Sequence, residues 1–548
     1  MTVSSPKLTS LAIAVQSTWS RGRPNRRPPV FLWFAAVLVA ILVTLPLGYL
    51  VIRATGAGAD QLWHILLRHR THQIFFGSTG LAATVTLLSI FIGVTLAWLT
   101  GRTDLPGRKF WAVATVLPLV IPSYIGAFTL VSALGPRGLV QGWLEPLGVE
   151  RLPSIYGFPG ALLALTLFTY PYILLSVRAA LHGLDPSLEE AARSLGRNSY
   201  RIFWEITLPQ LRPAILAGAL LVALYTLSDF GAVSLLRFDS FTRAIYLQYS
   251  ASFDRSVAAV LALLLVVLTL VILILEHRAR GQARYYRSSA GTVRPASPIR
   301  LGNWRWPAIF FCGTITLLGL VTPLLVIGFW LFRGARAGEP IDLNLAIVLN
   351  SVVASGSAGF LAVLAAIPVV VLAVRFPGRI SRWLEKSTYL GYALPGVVIA
   401  LSLVFFGAKY ALFLYQTLFL LIFAYIVRFL PQAVGSTRAS LLQVSPRLEE
   451  ASRSLGRTPF QALTSITVPL MRPGLVTGLA LVFLTAMKEL PATLLLGPTG
   501  FNTLATRIWG STEEAFFTQA SGPALLLVLV SAVAVWLILS QEEKNAHR

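Results

Sequence analysis

The segment LEEAARSLGRNSYRIFWEITLPQLRP at 188–213 returns as LEEASRSLGRTPFQALTSITVPLMRP at 448–473, offset by 260 residues, with 14 of the 26 paired positions identical. Each copy is a polar island bearing Glu and Arg between long apolar runs. Charged stretches are costly inside hydrocarbon. The chain must therefore fold as two related halves, each presenting one loop at a membrane surface. Two equivalent loops imply two equivalent soluble partners.

Composition supports this reading. Hydrophobic residues make up 55 % of the 548-residue chain, charged residues only 12 %, and the mean hydropathy is +0.72, outside the range of soluble domains. The expected class is an all-α polytopic membrane protein. The one cysteine, Cys312, lies in an apolar run, so no intramolecular disulfide forms and the residue reads as a small buried apolar side chain.

A membrane-crossing helix needs about 20 apolar residues. Windows of that kind occur at 30–52, 75–100, 111–134, 159–180, 213–236 and 257–275, then at 307–332, 348–374, 388–406, 412–430, 473–496 and 521–540. Lys409 and Arg428 crowd the ends of the 412–430 window. The sum is twelve spans in two sets of six. The implied organisation is an N-terminal segment (1–28), a first six-helix domain (29–276), a basic linker (277–306), a second six-helix domain (307–540) and a tail (541–548).

Residues 1–28 are polar and basic, and the apolar run that follows is too long for a signal-peptide core and lacks a small-residue cleavage pattern. It reads as an uncleaved anchor. Twelve spans put both termini on one side. The loops on that side, islands and linker included, hold 32 of the 45 Lys and Arg against 12 on the other when Arg178 and Arg428 at span ends are counted with the loops they adjoin, which leaves Lys488 as the one basic residue deep in a span. The asymmetry marks the islands and both termini as cytoplasmic. The net charge of +23 is scattered over short membrane-flanking loops, which excludes a nucleic-acid-binding domain. The linker can also attract an anionic leaflet, but its position on the positive side accounts for its charge.

Within the first island a helix is expected from Ser187, with Glu189 and Glu190 in its first turn, where acidic groups suit the helix dipole. Gly196 ends it. A second helix from about Ser199 to Leu208 follows, broken by Pro209 and Pro213. The second copy spells the same grammar with Pro446, Glu449, Glu450, Gly456, Pro469 and Pro473. Interfacial caps of a bundle need no such retention in two copies. A docking knob does.

Glu190, Ala191 and Ala192 with Gly196, then Ile206, Leu208 and Pro209, resemble the EAA motif of the membrane permease subunits of bacterial ABC importers. Glu450, Ala451, Gly456, Ile466 and Pro469 match in the second copy, which departs at Ser452 and Val468. The resemblance implies two fused six-helix permease repeats, a coupling helix in each island seated in a cleft of an ABC ATPase, and two such ATPase subunits, identical to each other. It also implies that Glu190 and Glu450 meet basic groups of the ATPase while Gly196 and Gly456 set the turn. Glu189, Glu190, Ala191, Ala192, Gly196, Ile206, Pro209, Glu449, Glu450, Ala451, Gly456, Ile466 and Pro469 are the coupling residues on this reading. No GxxxxGK[ST] P-loop occurs in the chain, so it is expected to be no enzyme and to hold no cofactor, with ATP and Mg on the partner.

After each island an apolar run carries ionisable residues: Ser228 and Asp229 in the first, Lys488 and Glu489 in the second, paired at the same 260-residue offset. Such residues are functional candidates. Two carboxylates at pseudo-symmetric positions would favour a cation in a central pathway. A structural polar network is the other reading, since adjacent helical residues point about 100° apart and Lys488 and Glu489 cannot both line one pore. Tyr124, Tyr170, Tyr172, Tyr225, Tyr392 and Tyr425 are further oxygen donors, though packing explains most membrane tyrosines. His64, His69 and His72 sit near an external loop and read as solvated; no metal-ligand spacing appears.

The stretch KELPATLLLGPTGFNTLATRI at 488–508, with LSDFGAVSLLRFDSFT at 227–242, is similar to ferric-iron importer permeases. Thiamine permeases share the fused layout. The resemblance implies ferric-iron import through the inner membrane of a bacterium, with a periplasmic or extracellular ferric-iron-binding protein on the outer face. It leaves open whether iron passes bare or with an anion. A secondary transporter would have internal repeats as well, but no use for a duplicated cytoplasmic docking loop.

Overall fold

A computed structural model describes residues 28–546 apart from 57, 137, 185–186, 252–255, 281–297 and 340–343. Residues 1–27 of the N-terminal segment and most of the linker, both read above as cytoplasmic, lie outside the described residues. The first half contributes α1 (Val30–Thr55), α2 (His69–Arg102), α3 (Ser123–Leu134), α4 (Phe158–Gly183), α5 (Ser187–Ser194), α6 (Leu208–Ser228) and α7 (Ser256–Arg280). The second contributes α8 (Thr322–Ala337), α9 (Leu345–Arg375), α10 (Gly396–Tyr410), α11 (Leu418–Gln443), α12 (Pro446–Ser454), α13 (Arg472–Met487) and α14 (Phe517–Ala546). Among the described residues nine helices are long and apolar enough to cross a membrane, and three bent pairs bring the number to twelve.

Two of the bends fall inside the expected spans at 111–134 and 388–406, and the third falls at Met471, just before the expected span at 473–496. A residue before proline is driven out of the helical region. Ile121 before Pro122 and Leu394 before Pro395 are accordingly extended (ψ 119° and 110°), and the second of these breaks turns the chain by 104°. The fourth span of the second half also starts later than its apolar run suggested, because Thr417 caps it by accepting from Leu420 N. Arg428 is thereby moved from the end of a span to the middle of α11, so Lys488 is not the one basic residue inside the bundle. Residues 541–546, read as a tail, continue α14.

Pro209 does not break its helix either. A π-turn at Phe203–Thr207 widens the coil just before it, and Pro209 then falls in the first turn of the renewed α-helix, where its missing N–H is not needed. The helix continues through Pro213, whereas the second copy has the same π-turn (Leu463–Thr467) and then bends by 72° beside Met471.

The first span of each half packs on the other half. Ser402 Oγ on α10 donates to Pro46 O on α1 (2.5 Å), and Trp330 Nε1 on α8 donates to Ser132 Oγ on α3 (2.6 Å). Each of the two large apolar cores therefore mixes residues of both halves. Small residues set the closest approach, as in membrane bundles generally. Ile173 of α4 lies between Gly93 of α2 and Gly218 of α6, where a Cβ would stand 3.0 and 2.8 Å from it. The end of the linker is pinned to the island side of α2: Ile299 N donates to Arg102 O (2.8 Å) and Leu301 N to Asp104 Oδ1 (2.8 Å).

Candidate functional site

The islands close in the same way in both halves. After α5, Gly196 takes φ +78° and Arg197 N reaches back to Ala192 O (3.0 Å); after α12, Gly456 takes φ +86° and Arg457 N reaches Ser452 O (3.3 Å). This left-handed C-terminal turn favours glycine. The chain then turns into the short helix that carries Tyr200 or Phe460.

The two glutamates of each pair face different ways. Glu189 is buried and accepts from Thr207 Oγ1 (2.9 Å) and from buried Arg102 at the end of α2 (3.4 Å). Glu449 likewise accepts from Arg375 at the end of α9 (2.9 Å), whose guanidinium also holds Val444 O (2.9 Å). These glutamates, assigned to coupling from the sequence, thus brace the island against the bundle rather than face a partner. A buried ion pair broken on one side is costly, so Glu189→Ala should lower the melting temperature of the purified protein and leave Arg102 stranded. Glu190 and Glu450 are exposed, as are Ala191 and Ala451, while Ile206, Ile466 and Pro209 are half-buried and Pro469 is exposed.

Sequence reading missed the apolar part of this surface. Leu195 is 83 % exposed and Leu455 84 %, each one residue before the turn glycine, and Leu188, Tyr200, Leu448 and Phe460 are also exposed, all at the 260-residue offset. The signal was available in the retained Leu and aromatic positions of the repeat. At the departure from the EAA pattern, Ser452 is buried and its Oγ has no partner among the described residues, while Ala192 fills the same place. An unsatisfied buried hydroxyl destabilises. Ser452→Ala should hold or raise thermal stability with coupling intact, read by melting of the detergent-solubilised protein.

The paired carboxylates meet near the middle of the molecule, each capping a short helix. Asp229 Oδ1 accepts from Ala232 N (3.0 Å) and Val233 N (3.3 Å), its Oδ2 accepts from Ser123 Oγ, and Tyr225 Oη donates to Ser123 Oγ (3.2 Å). Glu489 Oε1 accepts from Ala492 N (3.3 Å) and from Arg428 Nη1 (2.7 Å). Arg428 is also within electrostatic reach of Asp229 across the seam. Gly396 makes room for it: a Cβ there would stand 1.5 Å from Arg428 Nη1. The first half has Ser123 after Pro122 where the second has Gly396 after Pro395, so a serine hydroxyl and a guanidinium serve corresponding carboxylates.

Lys488 does not pair with Glu489. Its Nζ donates to Leu119 O (3.1 Å) at the broken span of the first half, while Ser228, its counterpart, is half-buried. Two carboxylates with Arg428 and Lys488 give the cluster no formal net charge, so the carboxylates alone do not make a cation-attracting centre. The Tyr225 ring lies 5.9 Å from that of Tyr172, tilted by 42°; Tyr425 shares a hydrogen bond with Thr493 (2.6 Å); Tyr170 donates to Thr115 O (2.6 Å) and is structural; Tyr392 is partly exposed. The buried Tyr124 hydroxyl has no partner among the described residues. His64, His69 and His72 are exposed, and no group of three or more His, Cys, Asp or Glu suited to a metal occurs among the described residues.

Comparison with known proteins follows this architecture. The family described as "binding-protein-dependent transport system inner membrane component" matches twice, at residues 93–279 and 358–541. The chain is similar to the Fe(3+)-transport system permease protein FbpB 2 of Haemophilus influenzae, 37 % identical over 516 residues covering 94 % of this chain and 98 % of that one. It is 25 % identical to the ferric transport system permease protein FbpB of Actinobacillus pleuropneumoniae over 87 % of this chain and 73 % of that one. It is also 31 % identical to the sulfate transport system permease protein CysW of a Synechocystis species over 36 % of this chain and 72 % of that one.

Proposed function

This chain belongs to the family of binding-protein-dependent transport system inner membrane components, the permeases of ABC importers, and on that premise we propose that it forms a complete ferric-iron pore driven by two copies of one ATPase. In this reading the halves 29–276 and 307–540, joined by the linker 277–306, correspond to the two permease subunits of unfused importers. Both termini and both islands lie in the cytoplasm, the side favoured by the Lys and Arg asymmetry. A ferric-iron-binding protein docks on the opposite face. ATP and Mg belong to the ATPase.

The observation that carries the reading is the duplicated island, an exposed Leu and aromatic tip on a turn braced by an Arg–Glu pair that is buried in the first copy and half-buried in the second. Exposed Leu195 and Leu455 give each ATPase an apolar grip, with Glu190 and Glu450 beside it for basic groups. The brace makes the knob a lever: displacement of α5 or α12 is handed through Glu189–Arg102 or Glu449–Arg375 to α2 or α9, and through the π-turns to the helices ending at Asp229 and Lys488. Closure of two ATPase subunits would thus move both sides of the central cluster together.

The cargo assignment rests on the two ferric permeases matched across both halves. Its test is uptake of radioactive ferric iron into vesicles containing this chain, its ATPase and a loaded binding protein, with thiamine and sulfate as comparators. Ferric uptake above both comparators is expected. Transport of a comparator alone would discard iron and keep the ABC permease.

A further inference from the structure

At the end of the bundle away from the islands, a cavity of about 290 Å³ lies on the seam between the halves. The first half supplies Ser234, Arg237, Arg243 and Tyr246 to its wall, and the second supplies Trp509 and Glu513. Its lining includes Phe230, next to Asp229 in the chain, whose ring lies 5.1 Å from that of Trp509. The cavity is therefore one residue removed from the central cluster, with Phe230 and Trp509 between them as a plug.

Arg237 stands where the backbone asks for glycine. It follows the short helix Gly231–Leu235 with φ +54°, while Phe238 N returns to Val233 O (2.8 Å) and Arg237 N to Ser234 O (3.0 Å), the same left-handed turn that Gly196 and Gly456 make in the islands. A side chain in that conformation is strained, and strain of this kind collects at functional sites. The arginine lies over the Tyr156 ring (5.2 Å), and its guanidinium has no carboxylate partner among the described residues. Arg243 pairs with Asp239, a carboxylate largely in solvent, and a pair of that kind exchanges readily. The Ser234 hydroxyl, also on the wall, is buried and unsatisfied.

Arg237 and Ser234 are thus donors without an acceptor among the described residues, Arg243 is held only by a solvent-facing carboxylate, and guanidinium forks match oxyanions in two-point geometry. Glu513, on the second half, has no ion-pair partner among the described residues and raises the Tyr246 phenol above its ordinary range after burial has done so. Donors from one half and an unpaired carboxylate from the other fit an uncharged or weakly charged ion pair better than a lone ion. We propose that this cavity is an oxyanion-binding site at the outer mouth, which receives the cargo together with a coordinated carboxylate or phosphate, the anion held by Arg237, Arg243 and Ser234. The oxyanion assignment stands on the cavity alone. The metal carried with it rests on the ferric reading above.

The test uses the full chain with its ATPase in lipid nanodiscs, without iron, ATP or binding protein, titrated calorimetrically with inorganic phosphate and with citrate. Wild type is expected to bind at least one of the two, and the stronger probe identifies the anion class. Arg237→Gly, which relieves the backbone and should leave melting unchanged or raised, and Arg243→Gln should each weaken binding at least tenfold, while Glu513→Gln should not weaken it. Absence of binding by the wild type, binding undiminished in Arg237→Gly, or an equal loss in Glu513→Gln would each overturn the site. Anion binding in a protein that fails to import iron would leave the cavity standing and remove only the ferric reading.

Discussion

A chain carrying Leu195→Glu together with Leu455→Glu is expected to insert normally and to purify without ATPase. The two leucines are among the most exposed large apolar side chains of the molecule, and each stands at the tip of a turn that a left-handed glycine holds open. Buried apolar anchors at the centre of an interface typically contribute about 2 kcal/mol or more each, and a glutamate there adds an unpaired charge to the loss. Each change should weaken the hold on its own ATPase by roughly thirtyfold or more. The leucines touch no spanning core, so melting of the isolated chain should not move. Gly196→Pro and Glu450→Lys should also impair association, the first by forbidding φ +78°, the second by reversing a charge. Retention of ATPase by the double leucine variant would put the docking surface elsewhere.

Arg428→Met is expected to cause the largest loss of stability of any single substitution considered. It would leave Glu489, 5 % exposed, buried with a single backbone donor. Removing one partner of a buried pair costs about 3–5 kcal/mol, whereas removing both is often close to neutral. The double variant Arg428→Met with Glu489→Gln should therefore regain most of what the single variant loses, read as melting temperature in detergent. Gly396→Ala should resemble Arg428→Met, since its Cβ would fall 1.5 Å from the guanidinium and 2.5 Å from Glu489 Oε1. Transport separates the two roles that the sequence left open. A stable double variant that still imports makes the pair a structural network, and one that is stable but inactive places it in the pathway.

Much of the architecture is legible in the residues because membrane physics constrains it tightly. Apolar run length gives the spans, and repetition of the island gives the two halves, down to the turn glycines. What escaped reading depends on where helices start and bend. Thr417 caps α11 later than hydropathy alone suggests, and this one shift moved Arg428 from the end of a span to the middle of a helix, where it partners Glu489. The π-turns that carry the chain past Pro209 and Pro469 have no simple sequence signature. Burial within the Glu189–Glu190 pair was equally hidden, because the choice between bracing and display depends on Arg102, 87 positions away in the chain.

The asymmetry of the two halves is also informative. Ser123 and Gly396 occupy corresponding places after a proline, yet one supplies a hydroxyl to a carboxylate and the other clears space for an arginine. The central cluster is balanced in charge, whereas the outer cavity carries Arg237 without a carboxylate partner among the described residues and Arg243 held only by a solvent-facing one. Selection of cargo on this account begins at the mouth rather than at the paired carboxylates.

The most direct test of the central claim is the mass of the intact complex, measured natively, for wild type and for variants altered in one island at a time. The account predicts two ATPase subunits per chain in the wild type, one in either Leu195→Glu or Leu455→Glu, and none in the double variant. A single ATPase in the wild type, or two in every variant, would contradict the claim that each island seats its own ATPase.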